Sequence, residues 1–247
     1  MPGTLREIRQ PPLLTPPPTE SLEWMDVTGE DCKAAVKGFR FFREAGNVRA
    51  VLHLHAYMKV VGYHTSVSLV EKRAFQSFLA DARKKGLGHD ILDVRWALKL
   101  LGLPHSTADG DDAAVGRQLQ FSRQDREPTL IAEILHRQKV LGETVTSIPA
   151  DREIFMEGLD DKRSHKMGQG AATIYLGAKA AGSPLSIAPE DRTLMREHLE
   201  FYRREVCFGE EGDPVGIWHM HYLLRELFDS HMGDETQPIP PLKRFKR

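Results

Sequence analysis

The chain has only two cysteines in 247 residues, Cys32 and Cys207, too few for a disulfide framework, so a reducing compartment is the default expectation. No apolar run approaches the roughly 20 residues a membrane helix needs. The N-terminus lacks the apolar core of a secretory signal, and Arg6 and Arg9 with few hydroxyls make a poor organellar presequence. An intracellular, cytoplasmic address follows as the expectation, with an organellar one left open. Net charge of one sign is also missing. At -1 overall, with a pI near 6.8, bulk attraction to nucleic acid or to an anionic membrane is disfavoured. Catalytic signatures are lacking too. Gly168-Gln169-Gly170 has no preceding strand or further glycine to make a nucleotide fingerprint. No nucleophile, base and orienter assemble without arbitrary choice. His53 and His55, like His219 and His221, stand two apart. Two-apart residues point in different directions on a helix, so metal binding is not expected.

What the chain does have is a period. An arginine recurs every 40 residues: Arg43, Arg83, Arg123, Arg163 and Arg203. A lysine does the same at Lys59, Lys99, Lys139 and Lys179, and a glycine follows it by three at Gly62, Gly102, Gly142 and Gly182. An acid lies twelve before each arginine, at Asp31, Glu71, Asp111, Asp151 and Asp191. Five before each acid is a short polar side chain: Asp26, Ser66, Ser106, Thr146, Ser186. Apolar columns run with them, for example Phe39, Leu79, Leu119, Leu159, Leu199, and Leu54, Val94, Ile134, Ile174. The fifth copy departs in its second half. If Arg225 replaces the lysine, about six residues are inserted around Cys207–Pro214, and Phe228 stands where the glycine should be. An atypical terminal copy is expected to cover the end of a stack.

Each copy reads as two helices. The first apolar columns fall on one helical face, with the acid in the first turn and the arginine in the last, both favourable to the helix dipole. Gly46 and Gly86 fit C-terminal caps, and Pro149 and Pro189 fit helix starts. The second helix carries apolar columns three and four residues apart, places the lysine near its end and closes on the glycine. The fold class is therefore all-α: an α-solenoid of five tandem helical hairpins, about ten helices and no sheet. The units run about 26–65, 66–105, 106–145, 146–185 and 186–233, within a domain 21–233. Pro-rich residues 1–20 and basic residues 234–247 read as disordered tails.

The acid and lysine columns are read as structural pairs across the turn: Lys59–Glu71, Lys99–Asp111, Lys139–Asp151 and Lys179–Asp191. Such surface pairs contribute about 0–1 kcal/mol each. No acid recurs at a position matching the arginines, so the repeat names no partner for them. Either they cap helix ends, or they form a guanidinium ladder for the phosphates or carboxylates of an extended partner. The hydroxyls introduce the following helix through local side-chain to backbone bonds.

The ending Lys99-Leu100-Leu101-Gly102-Leu103-Pro104 resembles the close of a pentatricopeptide-type hairpin, a likeness shared with tetratricopeptide arrays and covering most of residues 26–228 as architecture. The period of 40 departs from about 34 in those families. Their signature residues are absent, so no binding residue carries over. The functional expectation is a non-enzymatic scaffold with no cofactor, binding a protein or peptide partner in a solenoid groove, as a subunit of a larger assembly. The alternative is a single-stranded RNA binder using the arginine column.

Overall fold

The computed structural model describes residues 23–207 and 210–228. The tails expected at 1–20 and 234–247 lie outside them. Ten helices carry the chain: α1 (Gly29–Glu44), α2 (Val48–Val60), α3 (Leu69–Lys85), α4 (Gly88–Leu101), α5 (Asp111–Gln124), α6 (Pro128–Leu141), α7 (Pro149–Ser164), α8 (Gly168–Ala180), α9 (Pro189–Arg204) and α10 (Pro214–Phe228). A short 3-10 turn, Glu23–Met25, precedes them. The expected absence of a sheet needs one correction. β1 (Val206–Cys207) pairs antiparallel with β2 (Glu210–Glu211) inside the extra segment between α9 and α10.

Two kinds of helix follow from two hydropathy patterns. In α1 the buried residues are Asp31, Ala34, Ala35, Gly38, Phe39 and Phe42, one stripe of an otherwise polar helix. In α8 nearly every residue is buried, from Gly168 through Ala178. Odd-numbered helices thus form an outer layer and even-numbered helices an inner one. Gly102 and Gly142 end α4 and α6 in the left-handed conformation, with φ of 70° and 78°.

The arrangement departs from an open stack. Each inner helix packs on the next: α2 on α4, α4 on α6, α6 on α8, α8 on α10, and α10 back on α2. Each outer helix packs on the inner helix of its own hairpin and on that of the preceding one, and α1 completes the set by packing on α10. Identical head-to-tail contacts make a filament unless their rotation closes, and here five hairpins close a ring. The fifth hairpin therefore does not cap an end; it meets the first.

Small residues set how closely the units nest. The start of each inner helix presses on the outer helix of the next hairpin. Pro128 docks against Gly158 and Pro214 against Gly38, each too close to admit a Cβ on the glycine. Elsewhere the glycine is on the inner helix: Gly88 meets the backbone of Ala114, and Gly168 that of Leu194. The ring is also lopsided. Gly177 would place a Cβ 2.3 Å from Ala132 Cα, so α6 and α8 lie close together. The bulky Tyr57, Trp96 and Tyr222, on α2, α4 and α10, fill the opposite side.

Candidate functional site

The arginine column has partners, and they lie in the acid column of the following hairpin. Arg43 reaches Glu71, Arg83 reaches Asp111, Arg123 reaches Asp151 and Arg163 reaches Asp191, each 28 positions on. Arg203 closes the series by reaching Asp31. Each guanidinium thus joins the last turn of one outer helix to the first turn of the next. Nε and Nη2 of Arg123 grip both oxygens of Asp151 at 2.8 and 2.7 Å, and Arg163 repeats this on Asp191 at 2.8 and 2.7 Å. Nη2 also donates to a backbone carbonyl of the hydroxyl column: Ser106 O, Thr146 O and, at the closure, Asp26 O.

The acid is held from three sides. Its carboxylate accepts the backbone N–H three residues earlier, at Thr28, Ser68, Ala108 and Ile148. At Thr28 and Ser68 the hydroxyl returns the bond in a capping box. The hydroxyls that cap thus stand two residues after the column expected to do so, whose contribution to the arginines is its carbonyls. The inner helix adds a third ligand: His221 Nε2 to Asp31 at 3.0 Å, Tyr175 Oη to Asp191 at 2.5 Å, and His55 Nε2 near Glu71 at 3.4 Å. Burial alone would raise the Asp31 pKa, but His221, Arg203 and Thr28 outweigh it and hold the carboxyl well below the carboxylate range. Burial likewise opposes ionisation of Glu71, yet Ser68 and Arg43 bring it down to about 2.

The expected lysine–acid pairs are replaced. Lys99 Nζ donates to Leu141 O at 2.8 Å and Lys179 Nζ to Glu226 O at 3.1 Å. Lys59 Nζ lies beside Gly102, and Arg225 lies beside Gly62. Lys99 and Lys179 thus meet C-terminal carbonyls of the next inner helix, and Lys59 and Arg225 lie at the same kind of helix end, where the helix dipole favours a cation. The α4–α6 and α8–α10 junctions are thus stapled twice, by an arginine on an acid and by a lysine at a helix end.

The sequence columns missed a second cluster, on the ring axis. Allowing for the six extra residues, His53, Asp93, Glu133, Thr173 and His219 occupy one repeat position on the inner helices. Asp93 is completely buried. Its carboxylate lies 2.8 Å from His53 Nε2, 2.9 Å from Arg49 Nη2 and 2.9 Å from Arg137 Nη2. Glu133 Oε2 is 3.2 Å from Arg137 Nη2 and 3.2 Å from His89 Nε2. Gln169 bridges Tyr202 and His219, and the His219 ring stacks on Tyr57 at 4.7 Å. The Arg137 guanidinium lies 5.5 Å above Trp96. Burial opposes ionisation of Asp93, but Arg137, His53 and Arg49 keep it ionised. The same opposition at Glu133 is overcome by Arg137 and His89, leaving its pKa at about 2. Burial pushes His219 down to about 4 and His136 down to about 3, so both are neutral at pH 7.

The axis is filled rather than hollow. Its cavity, lined by Tyr57, Trp96, Glu133, His136, Thr173 and Tyr222 among others, measures about 20 Å³. That holds one water-sized group. The open concave groove expected of a solenoid is therefore not formed by these inner faces. Seven residues beyond the charged layer, on the same helical face, stand Val60, Leu100, Val140, Ala180 and, in the fifth hairpin, Glu226, so this level of the ring is less polar than the first. Buried ion pairs are weak contributors to stability, and apolar replacements often serve as well. Their unequal partners do distinguish one hairpin from the next. His53 matches Asp93, and Gln169 matches His219, so the near-equivalent units have one register.

The paired histidines diverge as a helix requires: His53 faces Asp93 while His55 faces Thr65 and Glu71. Among the described residues no three His, Cys, Asp or Glu side chains gather as a metal site would need. None of the described helices is long and apolar enough to cross a membrane. No protein-family model, curated protein or solved structure matches the chain.

Proposed function

We propose that the chain is a non-enzymatic ring of helical hairpins that binds a protein partner, as a subunit of a larger assembly. One observation carries this reading: the outward faces of three of the five outer helices, α1, α5 and α9, repeat an exposed aromatic. Phe41, Phe121 and Phe201 share one repeat position and are 39%, 55% and 50% exposed. Scattered exposed apolar residues are ordinary, but large side chains recurring at one height of a ring form a surface suited to a partner. The filled axis supports the same reading, since a space of one water leaves no room there for a substrate or a peptide.

The RNA-binding alternative needs the arginine column to meet phosphates. The engagement of all five guanidiniums with acids lowers its weight. Capture from native lysate on the immobilised full chain, with and without nuclease, tests both readings. A captured protein that survives nuclease and is lost with Phe121→Asp plus Phe201→Asp is the expected result. Capture that disappears with nuclease would replace the protein reading by the RNA one.

A further inference from the structure

The loop between α4 and α5 is clasped by two guanidiniums from different helices. Arg83 Nη2, from α3, donates to Ser106 O at 2.6 Å. Arg95, from α4, donates through Nε to His105 O at 3.2 Å and through Nη2 to Thr107 Oγ1 at 2.5 Å. Three consecutive residues are thus pinned by two carbonyls and one hydroxyl. The remaining hydroxyl, Ser106 Oγ, makes no hydrogen bond among the described residues, and Ser106 is exposed in the loop.

Each arginine keeps one nitrogen without a hydrogen bond, Arg83 on a partly exposed guanidinium and Arg95 in the interior. Arg95 is 3% exposed, yet its Nη1 is buried without a hydrogen-bond partner. A buried donor left unpaired is costly and uncommon. Arg83 Nη1 also makes no hydrogen bond among the described residues. In Arg163 and Arg203 that nitrogen is taken by an acid three residues earlier, Asp160 and Glu200. The residue three before Arg83 is Ala80, which cannot do this. The other edges meet acids, Asp111 on Arg83 and Glu143 on Arg95.

The ring closure shows what a negative charge at this place looks like. There the position equivalent to Ser106 is Asp26, and Arg203 Nη2 donates to Asp26 O at 3.0 Å, as Arg83 does to Ser106 O. A carboxylate at that position coexists with the Arg203–Asp31 pair.

We propose that Ser106 is a phosphoacceptor, presented on a loop that Arg95 fixes from the interior, and that the phosphate it carries is received by the unpaired Nη1 of Arg83. The phosphoryl donor is a nucleoside triphosphate on a separate kinase. Ser106 Oγ forms a bond to the γ-phosphorus as the bond to the β–γ bridging oxygen breaks. The hydroxyl proton passes to the kinase's base and the nucleoside diphosphate leaves. The phosphoserine brings about -1.5 to -2 of charge and strong acceptor oxygens beside Arg83, whose partly exposed guanidinium has a donor to spare. This inference is independent of the partner reading above, because it concerns one loop and its two arginines.

The test uses the full chain with phosphoserine inserted at position 106 by genetic encoding. Its second ionisation, followed by phosphorus NMR, falls from the ordinary value of about 6 to roughly 5–5.5 in the folded protein. Urea unfolding returns it to the ordinary value, and Arg83→Gln reduces the shift. A folded midpoint at or above the unfolded one would overturn the receiving site, and that comparison needs no variant that might fail to fold. Mass spectrometry of the protein from its native source reads occupancy. Phosphate on the peptide containing Ser106 is expected, and an unmodified Ser106 in every growth state would overturn the modification itself.

Discussion

Arg203 and Asp31 are 172 positions apart in the chain and are joined by two hydrogen bonds, Nε to Oδ1 at 3.0 Å and Nη2 to Oδ2 at 2.8 Å. They repeat the bond that joins every other neighbouring pair of hairpins. Replacing Arg203 with Gln leaves a nearly fully buried carboxylate with His221 and Thr28 alone. The expected loss is about 2–3 kcal/mol, similar to that of Arg123→Gln, measured by urea denaturation. An open array would lose much less from a bond at its ends, so a negligible effect of Arg203→Gln beside a large one of Arg123→Gln contradicts closure.

Closure also predicts tolerance to moving the chain ends. The connections from inner to outer helices contain seven to nine residues, and the ends of the described chain flank the missing fifth one. Joining Phe228 to Glu23 through two added glycines, and opening the chain between His105 and Ser106, keeps all ten helices in place. This permutant should melt cooperatively within about 5 °C of the parent. Loss of helical circular dichroism would show that the ends are not neighbours.

The axial histidines set an acid limit. Burial lowers the folded pKa of His219 to about 4 and of His136 to about 3, against about 6.5 in the unfolded chain. The unfolded state then binds more protons below pH 6.5. Their contribution is full above that value and is lost as pH falls toward 4 and 3. The depressed carboxyls Glu133 and Glu71 add their own loss only below about 4.5, down to about 2. The melting temperature should therefore fall by about 5 °C or more between pH 7 and pH 4.5. A flat profile over that range would mean that these imidazoles are solvated.

Two glycines on α8 should respond oppositely to the same change. A Cβ at Gly177 meets the backbone and Cβ of Ala132 at 2.3 Å, so Gly177→Ala should cost about 2–3 kcal/mol by forcing α6 from α8. A Cβ at Gly170 meets only the Lys162 side chain, at 2.9 Å from Cδ, and that chain can swing away. Gly170→Ala should be neutral or stabilise by up to about 1 kcal/mol through helix propensity. Equal effects in denaturation would rule out the tight α6–α8 contact.

The turn between outer and inner helices needs one left-handed residue. Gly46 and Gly86 supply it in the first two hairpins, while Arg126 and Lys166 hold φ of 53° and 56° in the next two. Lys166→Gly should stabilise by about 1 kcal/mol. A destabilised variant would show that the lysine side chain contributes more than its backbone strain costs.

Much of the helical architecture could be read from the period, because equivalent positions carried equivalent residues. Gly86, Gly102 and Gly142 end helices where spacing predicted. The arginine partners were legible too, but only by pairing each column with the next copy: Arg123 finds Asp151 at an offset of 28, not within its own 40 residues. The lysine bonds were hidden because Leu141 O and Glu226 O are backbone atoms, which leave no trace in side-chain identity. The axial cluster was hidden because its members are chemically unlike one another. His53, Asp93, Glu133, Thr173 and His219 look like noise in a column until they are seen to bond across it, and six extra residues displace His219 from the count. Closure itself was disguised by that same irregularity near Cys207, which resembles the frayed finish of a linear array.

Circular closure makes the number of hairpins a property of geometry. In a linear array a duplicated unit simply lengthens the rod, and every length is permitted. Here an added copy would have to widen the circumference, part Asp93 from His53 and Arg137, and empty the space that Trp96 and Tyr222 now occupy. A chain of this design can change its residues one at a time, but it cannot grow by whole modules.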